Sequence, residues 1–174
     1  MLRRKGFTLT EIIINLLIIS MFMTGTGVIS SKVLYNARIR STESTMNVIS
    51  YNLKDLFNNH GTLYIKEALS DDKKMDSINM YLEEAKKYYL TFDFDRTSIK
   101  LTGIGFSIVT KDIKDSFNNP YTLYFQTTSD TEGKVLIISP GPDSVLDVDL
   151  DDWETDQHGD DIVQFLKASK PILN

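Results

Sequence analysis

Hydrophobic residues crowd the start of the chain. After a short basic stub, residues 7–30 are apolar apart from small polar residues, Asn15 and one acid, Glu11, and the next basic residue is Lys32. About 20 apolar residues in a helix, rising about 1.5 Å each, cover the roughly 30 Å hydrocarbon core of a bilayer. The pattern predicts a membrane-spanning helix over 7–30, and the basic stub predicts that this end faces the cytoplasm.

Two other interpretations of this segment are less favoured. The run is longer than the apolar region of a usual secretory signal peptide, and no small-x-small cleavage site is well placed at its far end. A helix that is apolar on every face could be buried in a core only by surroundings larger than this chain can supply. The predicted location is therefore the cytoplasmic membrane, as a single-pass protein whose C-terminal head lies outside.

Beyond residue 30 the apolar positions become one-sided. They recur three or four apart, at Met46, Ile49, Leu53, Leu56 and Phe57. This spacing predicts that the helix continues over 31–59 as an amphipathic stem. Gly61 is expected in the left-handed position that ends the helix, and His60 is interpreted as a capping cation or a solvated residue rather than a ligand.

Residues 60–174 are predicted to form a globular head. Apolar residues at helical spacing predict a second helix over 71–89. The strand signals, rich in β-branched and aromatic residues, lie at 88–94, 98–101, 105–110, 121–126 and 134–139. A loop over 129–133 is expected to close a hairpin between the last two. The predicted fold class is α+β, with the long N-terminal helix packed on a small antiparallel sheet of three or four strands and an extra helix.

Composition excludes several classes of function. The 174 residues contain no cysteine and only two histidines, so disulfides, zinc fingers, iron–sulfur clusters and multi-histidine metal centres are not available. The net charge is −5, and this acidic balance argues against nucleic acid as a partner, because affinity for phosphate backbones needs clustered Lys and Arg. The length fits one modest domain plus an appendage.

A run of acidic residues follows Ser139. Its members are Asp143, Asp147, Asp149, Asp151, Asp152, Glu154, Asp156, Asp160 and Asp161. So many carboxylates repel one another unless a cation neutralises them or solvent screens them. Calcium takes 6 to 8 oxygen ligands and tolerates irregular loops. The residues alone leave a calcium loop and a solvated acidic loop both open.

Two more specific interpretations of the acidic loop fail. An EF-hand read from Asp147 begins D-x-D-x-D, but Asp152 stands where the glycine belongs and His158 where the bidentate glutamate belongs. Two loop carboxylates could act as acid and base in a glycosidase, but that chemistry needs a concave site on a rigid scaffold. The chain is therefore predicted not to be an enzyme.

Glu11 is the most informative residue of the apolar segment, because an unpaired carboxylate there is costly. Arg4-Lys5-Gly6-Phe7-Thr8-Leu9-Thr10-Glu11, followed by the apolar run, resembles the signal of type IV pilins and type II secretion pseudopilins. In that family a prepilin peptidase cuts after the glycine and methylates the new N-terminal residue. The resemblance implies a leader over 1–6, cleavage between Gly6 and Phe7, and Glu11 as the assembly acid.

The resemblance also implies how subunits assemble. The Glu11 carboxylate would neutralise the free amine of Phe7 on a neighbouring subunit, so that two buried charges satisfy each other. The sequence departs from the family in Thr10 and Asn15, where apolar residues are common, and in having no proline in mid-span. Local unwinding in a filament is expected instead at Gly25 and Gly27.

The C-terminal region carries a second resemblance. Residues 115–121, the following hairpin, 138–143 and 159–162 are similar in order and spacing to the major pseudopilin of type II secretion. In that family the loop after the last hairpin binds one calcium ion through carbonyls and aspartates. The resemblance implies a calcium loop over 139–161 whose ligands are Asp143, Asp160 and Asp161, with backbone oxygens near Ser139 and Gly141. Further acids that could compete as ligands are Asp147, Asp149 and Asp151.

Together the two resemblances imply a structural protein with a pilin-like fold. It would be a filament subunit of a type IV pilus or a type II secretion pseudopilus, anchored in membrane lipid before assembly and carried afterwards in an extracellular or cell-surface filament. The implied partners are other copies of the chain, a prepilin peptidase, an assembly ATPase and a membrane platform protein. The alternative is a minor pilin or a membrane-tethered binding module or adhesin. The segment from about residue 60 to 110 carries no recognisable motif.

Overall fold

The computed structural model describes residues 8–60, 74–102, 105–127, 132–150 and 158–169. Within these ranges the chain is α+β, with two helices and an antiparallel sheet of five strands. Internal contacts divide the chain into two units, residues 1–38 and residues 39–174.

The first helix, α1, runs without a break over Leu9–His60, a length of 52 residues. Thr8 caps its start: the Thr8 N–H donates to Glu11 Oε2 at 2.8 Å, and the Glu11 N–H donates to Thr8 Oγ1 at 3.4 Å. This reciprocal pair is a capping box, which satisfies backbone donors that a helix start leaves unpaired. The predicted continuous stem helix is present, while its expected cap Gly61 lies outside the described residues.

The prediction that the first half of α1 spans a membrane is wrong. Within the described part of the chain, no helix combines the length and the apolar character needed to cross a bilayer. The predicted fold class fails in this feature, and the predicted single-pass location in the cytoplasmic membrane fails with it. Glu11, Asn15 and Ser20 put a charge, an amide and a hydroxyl among the apolar residues, and such groups are costly in hydrocarbon.

The second half of α1 supplies one side of the hydrophobic core. The predicted apolar stripe is confirmed, since each of its members is at most 2% exposed: Met46, Ile49, Leu53, Leu56 and Phe57. The second helix, α2, runs over Lys74–Tyr88 and buries Ile78, Leu82 and Ala85 in the same cluster. Residues 71–73 of the predicted helix lie outside the described residues.

The strands form one sheet in chain order, each antiparallel to the next. They are β1 (Phe94–Leu101), β2 (Gly105–Lys114), β3 (Pro120–Thr127), β4 (Glu132–Ser139) and β5 (Ile162–Ser169). The β3–β4 register, which reaches Thr127 opposite Gly133, confirms the predicted hairpin.

The expected three or four strands are too few, and the expected strand over 88–94 is wrong. Tyr88 is the last residue of α2. The predicted strand over 98–101 is part of a longer strand, Phe94–Leu101. Strand β5 is absent from the predicted strands, because Gln164 and Lys167 interrupt the alternation of apolar and polar residues along it. Its pairing with β4, rather than a pattern of its own, defines it as a strand.

The two faces of the sheet are covered differently. One face packs against α1 and α2 through Phe106, Ile108 and Leu123, among others. On the other face, Tyr124, Leu136 and Ile138 form a second buried cluster with Val148, which belongs to the acidic loop. The acidic loop is therefore packed on the sheet as well as exposed to solvent.

Candidate functional site

Three carboxylates of the acidic loop converge. Asp143, Asp147 and Asp160 each offer an oxygen, and these oxygens all lie within 4.8 Å of one another. Asp143 belongs to the turn after β4, Asp147 to the irregular stretch that follows, and Asp160 to the turn before β5. Oxygens that bind calcium at 2.3–2.6 Å stand at most about 5 Å apart across the ion, so one cation could bridge this triad.

Two glycines allow the triad to close. Gly141 and Gly159 have φ of +67° and +59°, the left-handed region that glycine enters without strain. A Cβ added at Gly159 would lie 2.0 Å from Asp147 Oδ2, and one at Gly141 would lie 2.5 Å from the Asp160 carbonyl oxygen. Both turns therefore require a residue without a side chain, at Gly141 and at Gly159.

Asp161 is placed beside the triad and has a different role in the loop. Its Oδ2 accepts hydrogen bonds from the N–H groups of Asp147 at 2.7 Å and Val148 at 2.8 Å. Burial raises the pKa of this carboxyl, and the nearby charges of Asp147 and Asp160 raise it further, against the lowering effect of those two hydrogen bonds. Its Oδ1 is buried and has no hydrogen-bond partner among the described residues.

The other predicted ligands bond to the turn between β2 and β3. The Ser139 hydroxyl donates to Asp115 Oδ2 at 2.6 Å, and the Gly141 carbonyl oxygen accepts from Asn119 Nδ2 at 2.6 Å. Asp149 is exposed, while Asp151 lies outside the described residues. The structure thus brings Asp143 and Asp160 together with Asp147, while Ser139 and Gly141 bond to Asp115 and Asn119 instead.

Sequence reasoning missed the importance of Asp115. This residue is only 6% exposed, and its Oδ1 accepts from the N–H groups of Phe117 at 2.9 Å and Asn119 at 2.7 Å. Such bonds are typical of an aspartate that caps its own turn. The available signal was the turn sequence Asp115-Ser116-Phe117-Asn118-Asn119, in which Asn118 adopts a φ of 74°.

The donor set of the triad fits a hard divalent cation. All three side chains offer carboxylate oxygens, the ligands that calcium and magnesium prefer. The irregular loop suits calcium better, because magnesium requires near-ideal octahedral geometry. A bound cation would also offset the mutual repulsion of the carboxylates.

The start of α1 is a second candidate site. The Glu11 side chain is exposed, and hydrogen bonds from the backbone and then the hydroxyl of Thr8 hold its pKa below the usual range. The processing residues Gly6 and Phe7 lie outside the described residues.

Apolar side chains surround this part of the helix. Each is between 47% and 75% exposed: Leu9, Ile12, Ile13, Ile14, Leu16, Leu17, Ile18, Ile19, Met21, Phe22 and Met23. At 100° per residue these positions occupy all sides of the helix rather than one stripe.

Comparisons with protein-family models, curated proteins and solved structures find no match to this chain. The features that support a function are therefore the exposed apolar start of α1 with Glu11, and the carboxylate triad of the acidic loop.

Proposed function

We propose that the chain is a structural subunit of a helical filament of the type IV pilus or pseudopilus kind, and that it assembles through the first half of α1. The observation that carries the proposal is the exposed apolar surface on all sides of Leu9–Met23. A helix of this kind is stable in water only when it is surrounded. A single partner would cover one side, whereas neighbouring copies in a helical array cover every side.

Glu11 gives this interface a charge that has to be matched. A carboxylate buried among apolar side chains is costly unless a cation pairs with it. The resemblance to pilins supplies that cation as the amine of Phe7 on the next subunit, freed when a prepilin peptidase cuts after Gly6. An assembly ATPase would drive the addition of subunits.

Glu11 also caps its own helix. A test of its role in assembly therefore requires variants that separate the effect of its charge from the effect of its capping bonds. Glu11→Gln keeps a side-chain oxygen to accept from the Thr8 N–H but removes the charge, whereas Glu11→Ala removes both. Thr8→Ala is the matched control, because it removes the hydroxyl of the capping box and leaves the carboxylate in place.

The variants are expressed in place of the wild-type chain, and the share of each that sediments with fibres is measured. We expect Glu11→Gln and Glu11→Ala to be lost from the fibre fraction and Thr8→Ala to remain. If Glu11→Gln enters fibres as the wild type does, the charge has no part in assembly.

We propose further that the acidic loop binds calcium through Asp143, Asp147 and Asp160. The convergence of their oxygens within 4.8 Å supports this site. Calcium would supply the positive charge that holds the three parts of the loop together. A small head without disulfides gains stability from such a staple.

Thermal unfolding of the full chain tests the calcium site. A cation at 100 times its dissociation constant stabilises the folded state by about 2.7 kcal/mol, and each kcal/mol raises the melting temperature by about 2–4 °C. We expect a higher melting temperature in calcium than in chelator for the wild type and for the exposed control Asp112→Asn, and a smaller rise for Asp160→Asn. Equal wild-type melting temperatures in calcium and chelator would refute the site.

A further inference from the structure

A buried polar cluster lies beneath the acidic loop, and Asp115 is its centre. Asp115 and Ser139 are 6% and 0% exposed. The Asp115 carboxylate accepts three hydrogen bonds, from the Ser139 hydroxyl at 2.6 Å and from the N–H groups of Phe117 and Asn119 at 2.9 and 2.7 Å. These bonds offset the cost of removing the carboxylate from water.

Asn119 connects this cluster to the acidic loop. Its Nδ2 donates to the Gly141 carbonyl oxygen at 2.6 Å, and its Oδ1 accepts from the Ser144 hydroxyl at 2.8 Å. These two bonds hold both ends of the turn that contains Asp143. The position of Asn119 depends in turn on Asp115, which accepts its backbone N–H.

The same cluster is joined to α1. The Ser116 N–H donates to Thr42 Oγ1 at 3.2 Å, and the Tyr121 hydroxyl donates to the Thr42 carbonyl oxygen at 3.3 Å. Thr42 and Tyr121 are both 0% exposed. The turn that holds the acidic loop is therefore fixed to the buried side of a long helix.

We propose that Asp115 is a positioning residue for the acidic loop. Its hydrogen bonds fix the positions of Asn119 and Ser139, and these residues fix the turn over 141–144. Asp143 then faces Asp147 and Asp160. The consequence for cation binding rests on the proposed calcium site. The effect of Asp115 on the order of the loop does not depend on that site. The positioning role and the calcium site can therefore fail separately.

A residue that merely stabilised the β2–β3 turn would weaken the whole unit 39–174 and leave the loop no more affected than the core strands. A positioning residue has a local effect. Its removal frees the loop amides and leaves the amides of the core strands protected. Amide hydrogen exchange on the full chain distinguishes the two roles.

Asp115→Asn is the first variant. Its side-chain oxygen can still accept from the N–H groups of Phe117 and Asn119, but its NH₂ group faces the Ser139 hydroxyl, which loses its acceptor. Asp112→Asn is the matched control, because Asp112 is exposed and lies near the end of β2, just before Asp115.

Exchange is followed at three loop amides that donate hydrogen bonds to aspartate side chains, those of Val145, Asp147 and Val148. We expect them to exchange about tenfold or more faster in Asp115→Asn than in Asp112→Asn, while the amides of Leu123 and Phe125 in β3 are unchanged. Equal loop exchange in the two variants, or equal acceleration of loop and β3, overturns the proposal.

The second readout is cation affinity. Terbium is titrated into the full chain, and its binding is followed by calorimetry. Calcium that competes for terbium then reports its own affinity. We expect the affinity to fall about tenfold or more in Asp115→Asn and to be unchanged in Asp112→Asn.

The outcomes separate the two proposals. If the wild type binds neither ion, the calcium site is wrong and the exchange result alone decides the role of Asp115. If the wild type binds and Asp115→Asn binds equally well, the calcium site stands and the positioning role is wrong.

A second variant covers failure of Asp115→Asn to fold. Asn119→Ala removes the bonds to Gly141 and Ser144 and leaves the backbone bonds to Asp115 intact. It should accelerate exchange of the same loop amides and leave β3 unchanged. Loop exchange equal to that of Asp112→Asn overturns the proposal.

Discussion

Glu11 caps the first helix while carrying a charge into an apolar surface. Its Oε2 accepts from the Thr8 N–H at 2.8 Å and from the Thr8 hydroxyl at 2.9 Å. These bonds favour the ionised carboxylate and hold its pKa below the usual range. Glu11 is therefore an anion at neutral pH, the form that the proposed pairing with an amine requires.

Asp161 should make the apo protein less stable as the pH rises. Burial raises its pKa in the folded state, so the folded chain binds this proton more tightly than the unfolded chain. The contribution of Asp161 to the free energy of unfolding is greatest below its unfolded pKa of about 3.9. This contribution is lost as the pH rises through the pKa that Asp161 has in the folded state.

Asp161→Asn isolates this effect, because the asparagine oxygen can still accept the N–H groups of Asp147 and Val148. Melting temperatures are measured in chelator at a series of pH values that starts at the unfolded pKa of about 3.9 and rises to neutral pH. The wild type should lose stability relative to Asp161→Asn across this range. Parallel curves would show that the charge of Asp161 does not oppose folding.

At the proposed calcium site, Gly159→Ala should weaken cation binding. The new Cβ would lie 2.0 Å from Asp147 Oδ2 at a φ of +59°, so the Asp147 side chain has to move away. We expect calcium affinity to fall about tenfold or more in a titration, since binding loses one of three carboxylates. Val145→Ala is the control, because Val145 is 53% exposed in the same loop and its substitution should leave the affinity unchanged. Unchanged affinity in Gly159→Ala would exclude Asp147 as a ligand.

At the scale of elements, adjacent residues of α1 should respond very differently to truncation. Ile49 is 0% exposed, and Val48 is 53% exposed. Ile49→Ala should lower the free energy of unfolding by about 2–5 kcal/mol, because it leaves a cavity in the core, while Val48→Ala should change it by less than about 0.5 kcal/mol. Denaturant unfolding of the two variants measures this difference. Similar values would mean that this stripe of α1 is not part of the core.

Helices were easier to predict than strands. The stripe from Met46 to Phe57 repeats at helical spacing because one face of α1 is buried against the sheet. Strand β5 has no such pattern of its own, since its pairing with β4 forms it. The membrane prediction is wrong because the apolar run contains Glu11, Asn15 and Ser20, whose polar groups are costly in hydrocarbon.

The candidate cation site was predictable only in part. The density of aspartates after Ser139 indicates where a cation could bind. Which side chains converge depends on the turn at Gly159, after which Asp160 faces Asp143 and Asp147 while Asp161 bonds to the backbone. The contact of Asp115 with Ser139 joins residues 24 apart in sequence, which no local pattern reveals.

At the scale of the whole molecule, the two units have different kinds of surface. The first unit exposes apolar side chains around α1, whereas the second encloses its own core between two helices and a five-stranded sheet. The second unit therefore has a hydrophobic core of its own, while the apolar side chains of the first unit are exposed. The proposed filament would cover the exposed side chains of the first unit with neighbouring copies.

The most direct test of the filament proposal is mass spectrometry of the fibre fraction from cells that express the chain. Fibres are collected by sedimentation, and the amount of this chain and its N-terminal residue are determined. The proposal predicts that the chain is a component of the fibres and begins at a methylated Phe7. Absence of the chain from the fibres, or a chain that still carries residues 1–6, would contradict it.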